Sequence, residues 1–170
     1  MLIFLIGLPG SGKTTLGKQL AKKLSGYVFS DLDELIVSTH HKSIEEIFAL
    51  HGESTFREYE RDCLRTYTLN IPTIVSTGGG APCFHGNMQW MNKNGITFFL
   101  NPSLQELTNR LHAHNNIHRP MLKNLSKEEL FIFLENRLKD RLPFYRQATY
   151  TIDKHNPSVG DLLEKINNQS

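Results

Sequence analysis

Nine residues, Gly7-Leu-Pro-Gly-Ser-Gly-Lys-Thr-Thr15, constrain this chain more than any other stretch. They follow the apolar run Leu2 to Ile6 and precede a helical pattern that begins near Gly12. A strand that turns through glycines into a helix is the setting in which G-x-x-x-x-G-K-[ST] holds phosphate. The glycines let backbone N–H groups fold inward around an anion, and the new helix adds its N-terminal partial positive charge. Gly10, Ser11, Gly12, Lys13, Thr14 and Thr15 are therefore expected to bind a nucleotide, with Lys13 on the β and γ phosphates and the Thr14 hydroxyl on Mg²⁺. A mere Gly-rich turn would leave the lysine at the helix start unexplained.

At 170 residues the chain is expected to be one domain, residues 1–170, large enough to bury about 70% of the surface its unfolded form exposes. Its formal charge of +2 argues against a nucleic-acid footprint, so local basic groups must carry any anion binding. No stretch approaches the roughly 18 apolar residues of a membrane span, and the apolar start lacks a basic leader. Two cysteines, Cys63 and Cys83, show no metal spacing. A cytoplasmic protein is the expectation.

The hydrophobic periods lay out an alternating order. Leu2 to Ile6 reads as a buried central strand. Leu16, Leu20, Ala21 and Leu24 mark a helix that Ser25-Gly26 ends. Tyr27 to Ser30 is a second strand, and Asp31-Leu-Asp-Glu34 opens a helix. Ser43 and Glu46 form a capping box for another, with Ile44, Ile47 and Phe48 facing inward, Gly52 as a break, and helical spacing from Phe56 to about Leu69. Thr73 to Ser76 is a third strand, followed by Thr77 and the triplet Gly78-Gly79-Gly80. His85 to Asn94 is helical and Ile96 to Leu100 a fourth strand. Ser103 with Glu106 caps a helix that buries Leu104, Leu107 and Leu111. Residues 112–125 carry no period, as in a mobile lid. Ser126 with Glu129 starts a helix that Pro143 is expected to break. Tyr150 to Asp153 is a fifth strand, and Pro157 starts a last helix. The predicted fold is α/β: a five-stranded parallel sheet between helical layers, three-layer αβα. Ligands of such sheets bind beyond the carboxyl ends of the strands, where the phosphate loop, Asp31/Asp33 and the glycine triplet all fall.

Phosphoryl transfer asks a protein for acceptor positioning and for positive charge on the transferring group. Asp31 and Asp33 can face Mg²⁺ and an acceptor hydroxyl; Asp31 can equally be a helix cap, or both. Arg57 can bind an anion or only pair with Glu60 at i,i+3, and Arg141 is as ambiguous alone. Gly78, Gly79 and Gly80 can offer bare backbone to a substrate or simply turn the chain. Arg119, in the lid, can reach a γ-phosphate or merely solubilise a loop. His112, His114 and His118 lack the spacing and partners of a metal set and read as polar surface; Phe131 and Phe133 read as core.

Together these segments resemble the shikimate kinase family, within the nucleoside monophosphate kinase-like phosphate-loop enzymes. The resemblance rests on Gly7 to Thr14, Asp31-Leu-Asp33, Gly52-Glu53 with Phe56-Arg57 and Glu60, Gly78 to Gly80, Arg119-Pro-Met-Leu122, and Arg141 four residues before Tyr145. It implies ATP-dependent phosphorylation of the 3-hydroxyl of shikimate, in aromatic amino acid synthesis, with ATP and Mg²⁺ as cofactors and a monomer as the working form. On it, Asp33 holds and deprotonates the hydroxyl, Arg57 and Arg141 clamp the carboxylate, and Gly79 contacts the substrate by its backbone. Thr14, and Asp31 through water, hold Mg²⁺; Lys13 and Arg119 neutralise phosphate; Arg110 stacks on adenine with His155 nearby. The acceptor segment is about 33–60 and the lid about 112–125. The lid's Met121 stands where leucine is usual, a volume-conserving change.

The alternatives are a gluconate kinase, a nucleoside monophosphate kinase or a non-catalytic nucleotide-binding module. A GTPase-like switch would need an Asn-Lys-x-Asp guanine reader, and Asn92-Lys-Asn-Gly95 lacks its aspartate.

Overall fold

The run Leu2–Ile6 becomes strand β1, each residue 0% exposed, in the computed structural model, which describes residues 1–68, 70–113, 122 and 125–168. Burial on both faces requires neighbours on both edges and helices above and below. The element order supplies them: α1 (Lys13–Lys23), β2 (Val28–Asp31), α2 (Leu32–His40), α3 (Ile44–Arg65), β3 (Thr73–Ser76), a 3₁₀ turn (Ala81–Cys83), α4 (Asn87–Asn94), β4 (Gly95–Leu100), α5 (Leu104–Ala113), α6 (Lys127–Tyr145), β5 (Tyr150–Ile152) and α7 (Val159–Asn167).

The five strands run parallel in the order β2-β3-β1-β4-β5. Alternation along β1 divides the core: Ile3 and Leu5 pack with Leu16 and Leu20 of α1 and Leu162 of α7, while Leu2, Phe4 and Ile6 pack against α2 to α6. This is the expected three-layer αβα sheet.

Register aligns the chemistry. Asp31 of β2 pairs with Ser76 of β3, and Leu5 of β1 pairs with Ser76 and with Phe98 of β4. The carboxyl ends of β2 and β3 therefore finish level with the entry to the phosphate loop.

Local expectations differ from the structure in a few places. Helix α6 runs through Pro143 to Tyr145; the carbonyl that proline cannot serve belongs to Lys139, an exposed residue, where solvent can stand in for the missing donor. Helix α7 starts from the Ser158/Asp161 capping box, with Pro157 just outside it. Helix α3 ends at Arg65 rather than near Leu69, while Gly52, at non-helical φ 77° and ψ 175°, breaks its helical run as expected. Phe48 is exposed, resting on Phe56 with ring centroids 4.7 Å apart. The lid residues 114–121, 123 and 124, with Arg119, lie outside the described residues.

Candidate active site

Gly10 and Gly12 take φ of 80° and 95°, left-handed values that a side chain would strain. The loop so formed wraps Lys13, whose Nζ donates to the carbonyls of Gly7 and Leu8 at 2.9 Å each and lies 3.4 Å from Ser11 Oγ. Lys13 and Ser11 are buried, while Thr15 is exposed at the mouth. Lys13, Thr14, Thr15, Asp31, Asp33, Ser76, Gly78, Gly79 and Arg110 line a cleft of about 350 Å³.

Asp31 caps α2, one of the roles its sequence position left open, and also faces the phosphate loop. Oδ1 accepts from the Asp33 N–H at 3.1 Å and caps α2, while Oδ2 accepts from Thr14 Oγ1 at 3.0 Å. Ser76 Oγ stands 3.3 Å from the same Thr14 hydroxyl. One carboxylate and two hydroxyls make an all-oxygen set that suits Mg²⁺, a hard cation that keeps several waters and takes few protein ligands. Ser76 escaped the sequence reading; its signal was a hydroxyl on the last residue of an apolar strand.

The glycine triplet is a point of convergence. A Cβ built on Gly78 would stand 2.9 Å from both Asp33 Oδ1 and Glu60 Oε1; one on Gly79, 2.7 Å from Arg141 Nη1; one on Gly80, 2.6 Å from Arg57 Nη2. None of the three needs a positive φ, so space and not backbone freedom demands glycine here. Gly79 also abuts the phosphate loop, its virtual Cβ lying 3.3 Å from the Gly7 carbonyl that Lys13 binds. Asp33, Arg57, Arg141 and the phosphate loop thus all converge on the triplet.

Arg57 does pair with Glu60, but inside the protein. Nη1 meets Glu60 Oε2 at 2.8 Å, Nη2 meets Glu53 Oε1 at 3.0 Å, and the guanidinium lies 4.4 Å from the Phe84 ring centroid and 5.1 Å from that of Phe56. Glu60 is 0% exposed and its Oε1 has no hydrogen-bond partner among the described residues. Burial pushes its carboxyl up to about 7, against the pull of the Arg57 charge. Tyr145, four residues after Arg141 on α6, donates to the Gly79 carbonyl at 2.5 Å. Burial raises its phenol well above the ordinary range, so it stays a donor. Glu60 and Tyr145 were visible in the sequence only as neighbours of the arginines.

At the far rim Arg110 donates to Gly10 O at 3.3 Å, to Asn156 Oδ1 at 2.9 Å and to Glu106. His155 is largely exposed, with Nδ1 3.1 Å from Glu106 Oε2.

A family profile described as Shikimate kinase matches residues 9–169. The chain belongs to the shikimate kinase family. This kinase is 47% identical to a shikimate kinase of Parabacteroides distasonis over 151 residues, which is 89% of this chain and 86% of that one. It superposes on the crystal structure of shikimate kinase from Bacteroides thetaiotaomicron with a TM-score of 0.89 at 39% identity, covering 99% of this chain and 97% of the other. Against the shikimate kinase from Acinetobacter baumannii in complex with shikimate the TM-score is 0.83 at 33% identity, covering 99% and 91%. Among the described residues of the kinase, no helix is long and apolar enough to cross a membrane.

Proposed function

We propose that this kinase transfers the γ-phosphate of ATP to the 3-hydroxyl of shikimate, with Asp33, Arg57, Arg141 and the glycine triplet holding the acceptor and the Gly7 to Thr15 loop holding the donor. The observation that carries this reading is the shared contact of the two halves at Gly79, between Arg141 and the Gly7 carbonyl.

Two guanidiniums at the triplet supply the cationic fork that a small carboxylic acid needs, Arg57 being held there by Glu53 and Glu60. Asp33, at the same triplet, accepts the hydroxyl proton and aims the oxygen at phosphorus. Lys13 moves its donors from the loop carbonyls to the β and γ phosphates. Thr14 and Ser76 offer oxygens to Mg²⁺, with Asp31 behind water. When bound, Mg²⁺ neutralises charge between the β and γ phosphates. Arg110 gives its face to adenine beside His155, and Arg119 adds charge from the lid, about 112–125, as that lid closes and excludes water. The acceptor segment is about 33–60. Residues 1–170 act as one kinase domain, and the working form in this reading is a cytoplasmic monomer.

ADP release with Mg-ATP against shikimate, gluconate and nucleoside monophosphates tests the reading. Turnover with shikimate alone is expected; equal turnover with gluconate or a nucleotide would overturn it.

A further inference from the structure

Three helices open with a serine and, three residues on, an acid that closes a reciprocal cap. Ser43 Oγ accepts the Glu46 N–H while Glu46 accepts the Ser43 N–H, and Ser126/Glu129 and Ser158/Asp161 make the same exchange. Helix α5 has the same pattern and makes only half of it. Ser103 Oγ accepts from Glu106 N at 3.2 Å, but the Glu106 carboxylate turns away from Ser103. Its Oε1 takes a hydrogen bond from Arg110 Nη2. Its Oε2 stands 3.1 Å from His155 Nδ1, unaligned for a hydrogen bond, buried and without a hydrogen-bond partner among the described residues.

Glu46 and Glu129 are exposed, whereas Glu106 is only 8% exposed. Burying a carboxylate is unfavourable unless it gains a charged partner, so the fold gives up a solvated cap for a contact that must serve elsewhere. That contact fixes Arg110, which three parts of the chain then hold: Gly10 O from the phosphate loop, Glu106 from its own helix, and Asn156 Oδ1 from the segment between β5 and α7. A guanidinium tied at three points presents one fixed plane to the cleft, and its rotamers are already frozen before anything stacks on it.

We propose that Glu106 is a positioning residue for the nucleotide base: it orients Arg110 as the wall on which the purine of ATP lies and gathers His155 and Asn156 to the same edge. The inference rests on the reading of Arg110 as the adenine contact. Glu106 itself bonds no residue of the phosphate loop and reaches it only through Arg110, so its effect on ATP is expected chiefly at the base. His155 adds an ion pair to Glu106 only while its imidazole is protonated, so the guanidinium is the principal partner.

Equilibrium binding of ATP and of inorganic tripolyphosphate to the full chain tests the idea, because tripolyphosphate carries the phosphates without the base. Glu106→Ala is expected to weaken ATP about tenfold and Glu106→Gln, which keeps an acceptor for Arg110, about threefold, with tripolyphosphate unmoved and the loss in KM for ATP rather than kcat. Arg110→Ala should remove the same preference for ATP, and the double variant should be no worse than Arg110→Ala. If Arg110→Ala weakens ATP while both Glu106 variants bind it normally, the positioning role is overturned and the adenine contact stands. Normal ATP binding by Arg110→Ala overturns the adenine contact and the inference with it. Parallel loss of ATP and tripolyphosphate in Glu106→Gln would show that the carboxylate serves the loop or the fold, and would also overturn the inference.

Discussion

Tyr145 donates its phenolic proton to the carbonyl oxygen of Gly79 at 2.5 Å, and this one bond ties the last turn of α6 to the glycine triplet. Arg141, one turn earlier on the same face, meets the same glycine. The helix must therefore stay regular through Pro143 for both side chains to point the same way.

Tyr145→Phe leaves the Gly79 carbonyl without its phenolic donor. Urea unfolding is expected to show a loss of about 1 to 3 kcal/mol, and KM for shikimate should rise while KM for ATP holds. An unchanged KM for shikimate would show that Arg141 keeps its place without this bond.

Gly79→Ala separates binding from stability. The new methyl would meet Arg141 Nη1 at 2.7 Å, the far end of a flexible side chain, and Gly7 O at 3.3 Å. The guanidinium can swing aside at little cost to the fold, but it then leaves the substrate. KM for shikimate is expected to rise at least about tenfold, with thermal stability nearly unchanged, since a displaced ion pair partner costs binding of that order. Normal steady-state kinetics would remove Arg141 from the carboxylate clamp.

Arg57→Ala tests the better anchored half of the proposed carboxylate clamp. Leaving the substrate carboxylate without its charged partner costs about 3 to 5 kcal/mol, so KM for shikimate should rise several hundredfold or more. A KM within a factor of about three of wild type would place the carboxylate elsewhere.

The sheet and the phosphate loop could be read from the sequence because both rest on local signals: a continuous apolar run, glycines at fixed offsets, capping pairs. The strand ends were legible for the same reason, since Asp31, the glycine triplet and Gly7 each follow such a run. What sequence could not reveal were the side chains whose role depends on distant burial. Glu60 sits at a spacing common on helix surfaces, and only its complete burial beside the glycine triplet makes its charge expensive. Pro143 misled because proline's usual effect assumes that the lost hydrogen bond matters, and at a solvent-facing last turn it does not. Ser103 caps α5 as its spacing predicts, and only the reciprocal half is missing, because tertiary contacts draw the Glu106 carboxylate to Arg110.

Glu60 also gives the fold a pH dependence of definite sign. Its carboxyl titrates near 4.5 when unfolded and is pushed up to about 7 in the folded chain, chiefly by burial. Between those values the folded state binds more protons than the unfolded one, so the contribution is fully present below about 4.5 and is lost as pH climbs through about 7. Its size is up to about 3 kcal/mol. Urea titrations from about pH 5 to pH 8 should therefore show stability falling more steeply in wild type than in Glu60→Gln, which cannot ionise. Parallel curves would mean that Glu60 is already ionised at the acid end.

Asp31→Asn separates the charge of Asp31, and with it the proposed role toward Mg²⁺, from its cap on α2. Asparagine caps helices about as well as aspartate, so the bond from the Asp33 N–H to the position 31 side chain, and with it the start of α2, should survive. What disappears is the negative charge beside Thr14 and Ser76, the charged member of an otherwise neutral oxygen set. A cation that keeps most of its own water responds to that charge through its hydration shell more than through direct bonds. The Mg²⁺ concentration for half-maximal rate should rise about tenfold, with thermal stability within about 0.5 kcal/mol of wild type. Asp31→Ala should shift the Mg²⁺ requirement similarly and in addition lose about 1 kcal/mol of stability as the cap goes. A Mg²⁺ dependence identical to wild type in both variants would confine Asp31 to its capping role and leave Thr14 and Ser76 as the protein's oxygens for the cation.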